Sequence, residues 1–157
     1  MDLVQALLTF NGYQPTSSEV FLDLPDYEPV VPAASDVGAE ITLEWRQGRG
    51  ARPGLLVHAR RDGRQVGICV CVSCGEYASA AEAQDWMFTK WMGIEEEVQG
   101  RGLGRHLLQR ALREMHAIGY RHAAISAAGA NGRAVLFYAN YGYRVVDWTH
   151  AFNRDPR

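Results

Sequence analysis

No run of apolar residues in this chain of 157 reaches the ~18 that a membrane-spanning helix requires. A secretory leader is not expected either. Asp2 stands at the start without the positively charged segment a secretory signal carries. The cytoplasm is therefore the expected compartment, with no membrane partner. Cysteine is scarce, at three residues. Cys69, Cys71 and Cys74 sit in or beside one apolar run, and in an extended strand Cys69 and Cys71 share a face while Cys74 falls on the other. A structural zinc site wants four ligands with turn-like pair spacings. The three thiols thus read as small reduced hydrophobes of a buried strand, and no metal is expected. Positive charge is also in short supply: the formal net charge is −2, which argues against a general nucleic-acid binder.

What is present fits one soluble globular core, with 47% hydrophobic and 22% charged residues. The charge is unevenly spread. Residues 99–133 carry six arginines (101, 105, 110, 113, 121 and 133) against the single acid Glu114. A basic zone on an otherwise acidic chain suits a compact polyanionic ligand.

The patterning predicts a short helix over residues 1–11, a strand over 19–24 and a proline-containing linker from Pro25 to Gly38. Strands follow at 41–45, 55–60 and 65–72, the last two joined by an Asp62-Gly63 hairpin. Residues 76–86 are an alanine-rich connection and 87–94 a further strand. An amphipathic helix spans 103–118, with Leu103, Leu107, Leu108, Ala111, Leu112 and Met115 on its apolar stripe and Gly119 stopping it. A strand at 122–127, a helix at 131–140 and an extended stretch at 143–152 complete the order. An antiparallel meander followed by strand–helix–strand–helix–strand implies an α/β sandwich around one mixed sheet.

The sharpest local feature is Val98-Gln-Gly-Arg-Gly-Leu-Gly-Arg105, between a strand and a helix. Alternating Gly100, Gly102 and Gly104 let a ligand approach the backbone closely. The helix start offers unbonded N–H groups and partial positive charge to a phosphate, and Arg101 and Arg105 stand beside it. No lysine follows to make a Walker loop, and the dinucleotide-binding fingerprint has a different spacing. A tight strand-to-helix connection would use the same glycines.

Gln99-x-x-Gly102-x-Gly104 resembles the Gln/Arg-x-x-Gly-x-Gly/Ala motif of the GNAT acetyltransferases. Asn131-x-x-Ala134-x-x-Phe137-Tyr138-x-x-x-Gly142-Tyr143 resembles that family's second cofactor motif. The resemblance covers Leu55 to about Phe152. It implies a mixed, mostly antiparallel central sheet flanked by helices and splayed at an acetyl-CoA site. It also implies that the cofactor lies along Met92, Gly93 and Ile94. Its pyrophosphate would rest on Gln99, Gly100, Arg101, Gly102, Leu103, Gly104 and Arg105. Asn131 and Ala134 would contact it, and Tyr138 would sit near the sulfur as catalytic acid. Asn131, Ala134, Val135 and Tyr138 share one face at helical spacing.

The implied activity is transfer of an acetyl group to a primary amine of a small molecule or peptide, in a ternary complex. Transfer of another acyl group, or non-catalytic acyl-CoA binding, would use the same motifs. Glu76, Asp85, Glu95 and His150 are candidate bases, none preferred. Glu95-Glu96-Glu97 reads as a solvated turn that could guide a cationic acceptor.

Two features depart from the family. Only Arg46 to Pro53 separates Trp45 from the next strand, leaving no room for the helix pair that usually walls the acceptor. The N-terminal arm is also unusual. A shift of 130 positions sets Gly12-Tyr13 on Gly142-Tyr143, Met1 on Asn131 and Leu8 on Tyr138. Residues 1–38 thus read as the tail of a preceding GNAT-like domain plus a linker, and 39–157 as the acetyltransferase domain. The arm is expected to dock within the chain or, preferably, across a homodimer, since the linker could span between subunits.

Overall fold

The computed structural model describes residues 3–154; Met1, and with it the match of Met1 to Asn131, lies outside them. Among the described residues three α-helices and seven strands follow the expected order. They are α1 (Leu3–Phe10), β1 (Gln14–Leu24), β2 (Glu40–Arg46), β3 (Gly54–Arg61), β4 (Arg64–Ser73), β5 (Trp86–Ile94), α2 (Leu103–Ala117), β6 (His122–Ala128), α3 (Gly132–Ala139) and β7 (Arg144–Asn153). The fold is mixed α/β and its sheet is mostly antiparallel. None of the described helices is long and apolar enough to cross a membrane. The contacts divide the chain into two compact units, Leu24–Ile125 and a smaller one made of Met1–Asp23 with Ser126–Arg157.

In the larger unit β2, β3, β4 and β5 form an antiparallel meander, and β5 pairs parallel to β6. The β3–β4 turn places Asp62 and Gly63 both at positive φ, 53° and 77°, the geometry that Asp-Gly hairpins supply. Alternation sends Leu55, Val57, Cys69 and Cys71 to the face on which α2 rides. All four are 0% exposed, as are Leu107, Leu108, Ala111 and Met115 on the helix stripe. Gly67 lies so near this helix that a Cβ there would stand 3.1 Å from Leu107 and 3.2 Å from Leu103. The Cys69 and Cys71 sulfurs are 3.8 Å apart. The Cys71 contact, then burial, pushes the Cys69 thiol well up, and burial pushes Cys74 to about 11. They behave as packed thiols.

The expected free linker is instead a docked strap. Buried Tyr27 donates from its hydroxyl to the Leu112 carbonyl (2.9 Å) and meets His116 edge-on. Farther along, the Ala33 N–H donates to Gln109 Oε1 (2.8 Å) and the Ala33 carbonyl bonds His106 Nδ1 (2.8 Å). The chain therefore runs along α2 from its C-terminal half to its first turn, ending on buried Val37. Composition could not reveal this, because main-chain groups and two scattered apolar residues do the holding.

In the smaller unit β1 pairs antiparallel with β7 and lies next to the end of β6, where the Gly129 N–H donates to the Ser18 carbonyl (2.8 Å). The arm is thus an internal strand here, docked within its own chain. The shift of 130 holds at the level of hydrogen bonds. Gly12 N–H bonds the Thr9 carbonyl and Tyr13 N–H bonds Leu8; correspondingly Gly142 bonds Ala139 and Tyr143 bonds Tyr138. In the β1–β7 register Glu19 faces Thr149, with Ser18 opposite His150 and Val20 opposite Trp148. Glu19 and Thr149 are equivalent under that shift, so the two helix–turn–strand units are related by a local two-fold axis through this pair.

Candidate active site

Strand β5 is held differently on its two edges. Along β4 its pairing runs from Met87 to Ile94, interrupted by a bulge at Lys90. Along β6 the parallel register covers only Trp86–Thr89 against His122–Ile125. The registered pairs on that edge end at Thr89, and main-chain groups of a strand edge can pair with an extended ligand. Met92 and Ile94 face α2, opposite Cys69 and Gly67; Trp91 and Gly93 face the other side, opposite Val70 and Ile68. On that second face a cleft of about 410 Å³ is lined by Ile68, Trp91, Gly93, Ile94, Glu96 and Gln99, among others. The exposed Trp91 indole lies against Gly93, where a Cβ would be 3.1 Å from its Nε1.

The glycine-rich turn leaves the end of β5. Gln99 donates from Nε2 to the Ile94 carbonyl (2.9 Å), so its side chain ties the turn to the strand. Gly100 and Gly102 take φ of 75° and 81°, left-handed conformations that glycine adopts without a Cβ penalty. A Cβ on Gly102 would also stand 3.4 Å from the Ala34 carbonyl. The first helical bond of α2 runs from the His106 N–H to the Gly102 carbonyl. The N–H groups of Leu103, Gly104 and Arg105 therefore have no helical partner. No acid lies in that first turn; Arg105 is exposed. Leu103 is 1% exposed, so only its backbone can serve a ligand. The loop acids are partly neutralised, with Arg64 3.5 Å from Glu95 and 3.2 Å from Glu97. Together these groups form an anion cradle fit for a pyrophosphate.

Of the expected cofactor residues, the structure joins Gly93, Ile94 and Gln99 in one cleft and sets Gly100 to Arg105 on one turn. Asn131, Ala134 and Tyr138 belong to the smaller unit. There Asn131 is the N-cap of α3, its Oδ1 accepting from the Ala134 N–H (3.1 Å), which commits its oxygen to the helix. Tyr138 is 5% exposed and packs edge-on against Phe137 and Tyr143. Among the candidate bases, Asp85 is ion-paired with Arg52 at 2.9 Å, and His150 stacks beside Trp148.

His58 is a group the sequence did not single out. It sits between Glu44 (3.3 Å) and Gln65 (3.0 Å). Its cross-strand partner is Ile68, so it shares the face of Trp91 and Gly93. Arg46 first, then His58, hold the Glu44 carboxyl below its usual range. One histidine in an alternating strand carries no motif; only the pairing of β2 with β3 brings Glu44 to it.

A family model described as an acetyltransferase (GNAT) domain matches residues 52–145. No curated protein matches the chain. Among solved structures, a GCN5-related N-acetyltransferase from Sphaerobacter thermophilus is 18% identical with a TM-score of 0.66, covering 95% of this chain and 55% of that one. One from Kribbella flavida is 17% identical with a TM-score of 0.64, covering 98% and 64%. A tandem GNAT protein from the clavulanic acid biosynthesis pathway is 15% identical with a TM-score of 0.70, covering 99% and 61%. The chain thus spans little more than half the length of these proteins, and at such identity the likeness shows the fold. With the model matched over residues 52–145, across the glycine-rich turn and the whole of the second motif, the chain belongs to the GNAT acetyltransferase family.

Proposed function

We propose that the chain transfers the acetyl group of acetyl-CoA to a primary amine of a small molecule or peptide, by direct attack in a ternary complex. The observation that carries this reading is the half-paired β5 leading through a glycine-rich turn into a helix start that carries no acid. Acetyl-CoA supplies the acyl group as a thioester. Backbone groups of Met92, Gly93 and Ile94 hold the extended arm, and an N–H near Ile94 is the donor for the reacting carbonyl oxygen. The amides from Gly100 to Arg105, the Arg101 amide among them, hold the pyrophosphate together with the exposed Arg105 guanidinium. Following the family resemblance, Asn131 and Ala134 contact the cofactor, and the Tyr138 hydroxyl gives its proton to the departing sulfur.

An alkylammonium of pKa ~10.4 must lose a proton before attack, at a cost of about 4–5 kcal/mol at pH 7. Holding amine and thioester together supplies roughly 7–11 kcal/mol, so a base reached through water suffices.

The experiment is release of CoA thiol from acetyl-CoA across a panel of amines, alongside binding of CoA. Turnover with at least one amine is expected. Tight CoA binding without turnover on any amine would make the chain an acyl-CoA-binding module. Absence of CoA binding at millimolar concentration would remove the reading altogether.

A further inference from the structure

The strap is hydrogen-bonded to the glycine-rich turn through Arg101. Its carbonyl accepts from the Asp36 N–H (3.2 Å) and from the Ser35 hydroxyl (3.2 Å). Its guanidinium donates back to the Asp36 carbonyl (2.6 Å). Ser35 Oγ is itself fixed, accepting from the Val37 N–H (3.3 Å), and Val37 is buried. The strap is further pinned to α2 through Ala33 with His106 and Gln109.

A trans peptide is planar, and its C=O and following N–H point in opposite directions. No peptide here is cis. With the Arg101 carbonyl drawn to the strap, the Gly102 N–H must point away from it. Both glycines around this peptide sit in the left-handed region, where rotation between alternatives is otherwise easy. The strap bonds remove that freedom.

We propose that Ser35 and Asp36 are positioning residues for the pyrophosphate of acetyl-CoA. They orient the Arg101–Gly102 peptide so that the Gly102 N–H faces the ligand before the ligand arrives. This rests on the acetyl-CoA reading above. The strap touches no reacting atom; its effect is on the affinity of the phosphate-bearing half of the donor. A preorganised donor avoids the ordering cost that a mobile turn would meet on binding.

The test uses the full chain with Ser35→Ala and Ser35→Thr, titrated with CoA and with pantetheine, which lacks the pyrophosphate. Ser35→Ala is expected to weaken CoA binding by about fivefold, the scale of one hydrogen bond. Pantetheine binding should stay unchanged, and Ser35→Thr, which keeps the hydroxyl, should restore CoA affinity. Equal CoA affinity in Ser35→Ala and the parent overturns the proposal. So does an equal loss for CoA and pantetheine, which would mark a general structural role. A parent that binds no CoA fails the functional reading itself and the proposal with it, an outcome distinct from the other two.

Discussion

Gly102 meets two demands at once, a φ of 81° and a close approach to the Ala34 carbonyl. A β-branched residue there would cost about 1–2 kcal/mol in the left-handed region alone and would push the strap off the turn. Gly102→Val is accordingly expected to abolish the rise in melting temperature that CoA gives the parent by mass action. A full shift in the variant would mean that the phosphate lies elsewhere. Tyr138 is a different kind of residue: its ring is core, and only its hydroxyl is assigned to chemistry. Tyr138→Phe should lower turnover at least tenfold and leave CoA affinity nearly unchanged. Full activity across pH 6–9 would assign the proton to water. Both residues were legible in the sequence, because a motif fixes residue type and spacing together. His58 was not, since its partners come from Glu44 on one strand and Gln65 on another.

At the scale of elements, periodicity identified every strand of the meander and both motif-bearing helices, most clearly α2, whose buried residues form one stripe. Two features escaped it. The first half of β1, Gln14 to Ser18, is polar and exposed and becomes a strand only through its ladder with β7. The strap along α2 is held by scattered bonds, from the Tyr27 hydroxyl and the Ala33 main chain, that follow no period in the sequence. The seat of α2 on the sheet depends on the absence of a side chain at Gly67. A Cβ there would stand 3.0 Å from Ile94 Cδ1 as well as pressing on Leu103 and Leu107. Gly67→Val should therefore destabilise the fold by about 1–3 kcal/mol through overpacking, read as a lower denaturation midpoint with an unchanged slope. Because Ile94 and the start of α2 would shift together, CoA affinity should fall in the same variant. Unchanged stability would show that α2 can lift from the sheet without loss.

At the scale of the whole molecule, the local two-fold relation between α1–β1 and α3–β7 sets the question of assembly. The arm already has a place inside the sheet of its own chain, so it is not what remains to be covered. Among the described residues, eight of the thirteen exposed large hydrophobics lie in the smaller unit: Leu3, Val4, Leu7 and Phe10 on α1, Leu136 on α3, and Val145, Val146 and Trp148 on β7. Phe10 is 89% exposed, and β7 ends the strand order with an open edge. Burying each such side chain is worth ~1.5–3 kcal/mol, and an open strand edge invites pairing. A second copy meeting this surface through a two-fold axis satisfies both, because an isologous contact places each patch against itself. Light scattering on the intact chain should then give twice its mass. The double variant Leu7→Glu/Phe10→Glu should give the single mass with CoA binding retained, since neither residue belongs to the cofactor turn. An intact chain that stays monomeric at high micromolar concentration would show that α1 and β7 face solvent or some other protein.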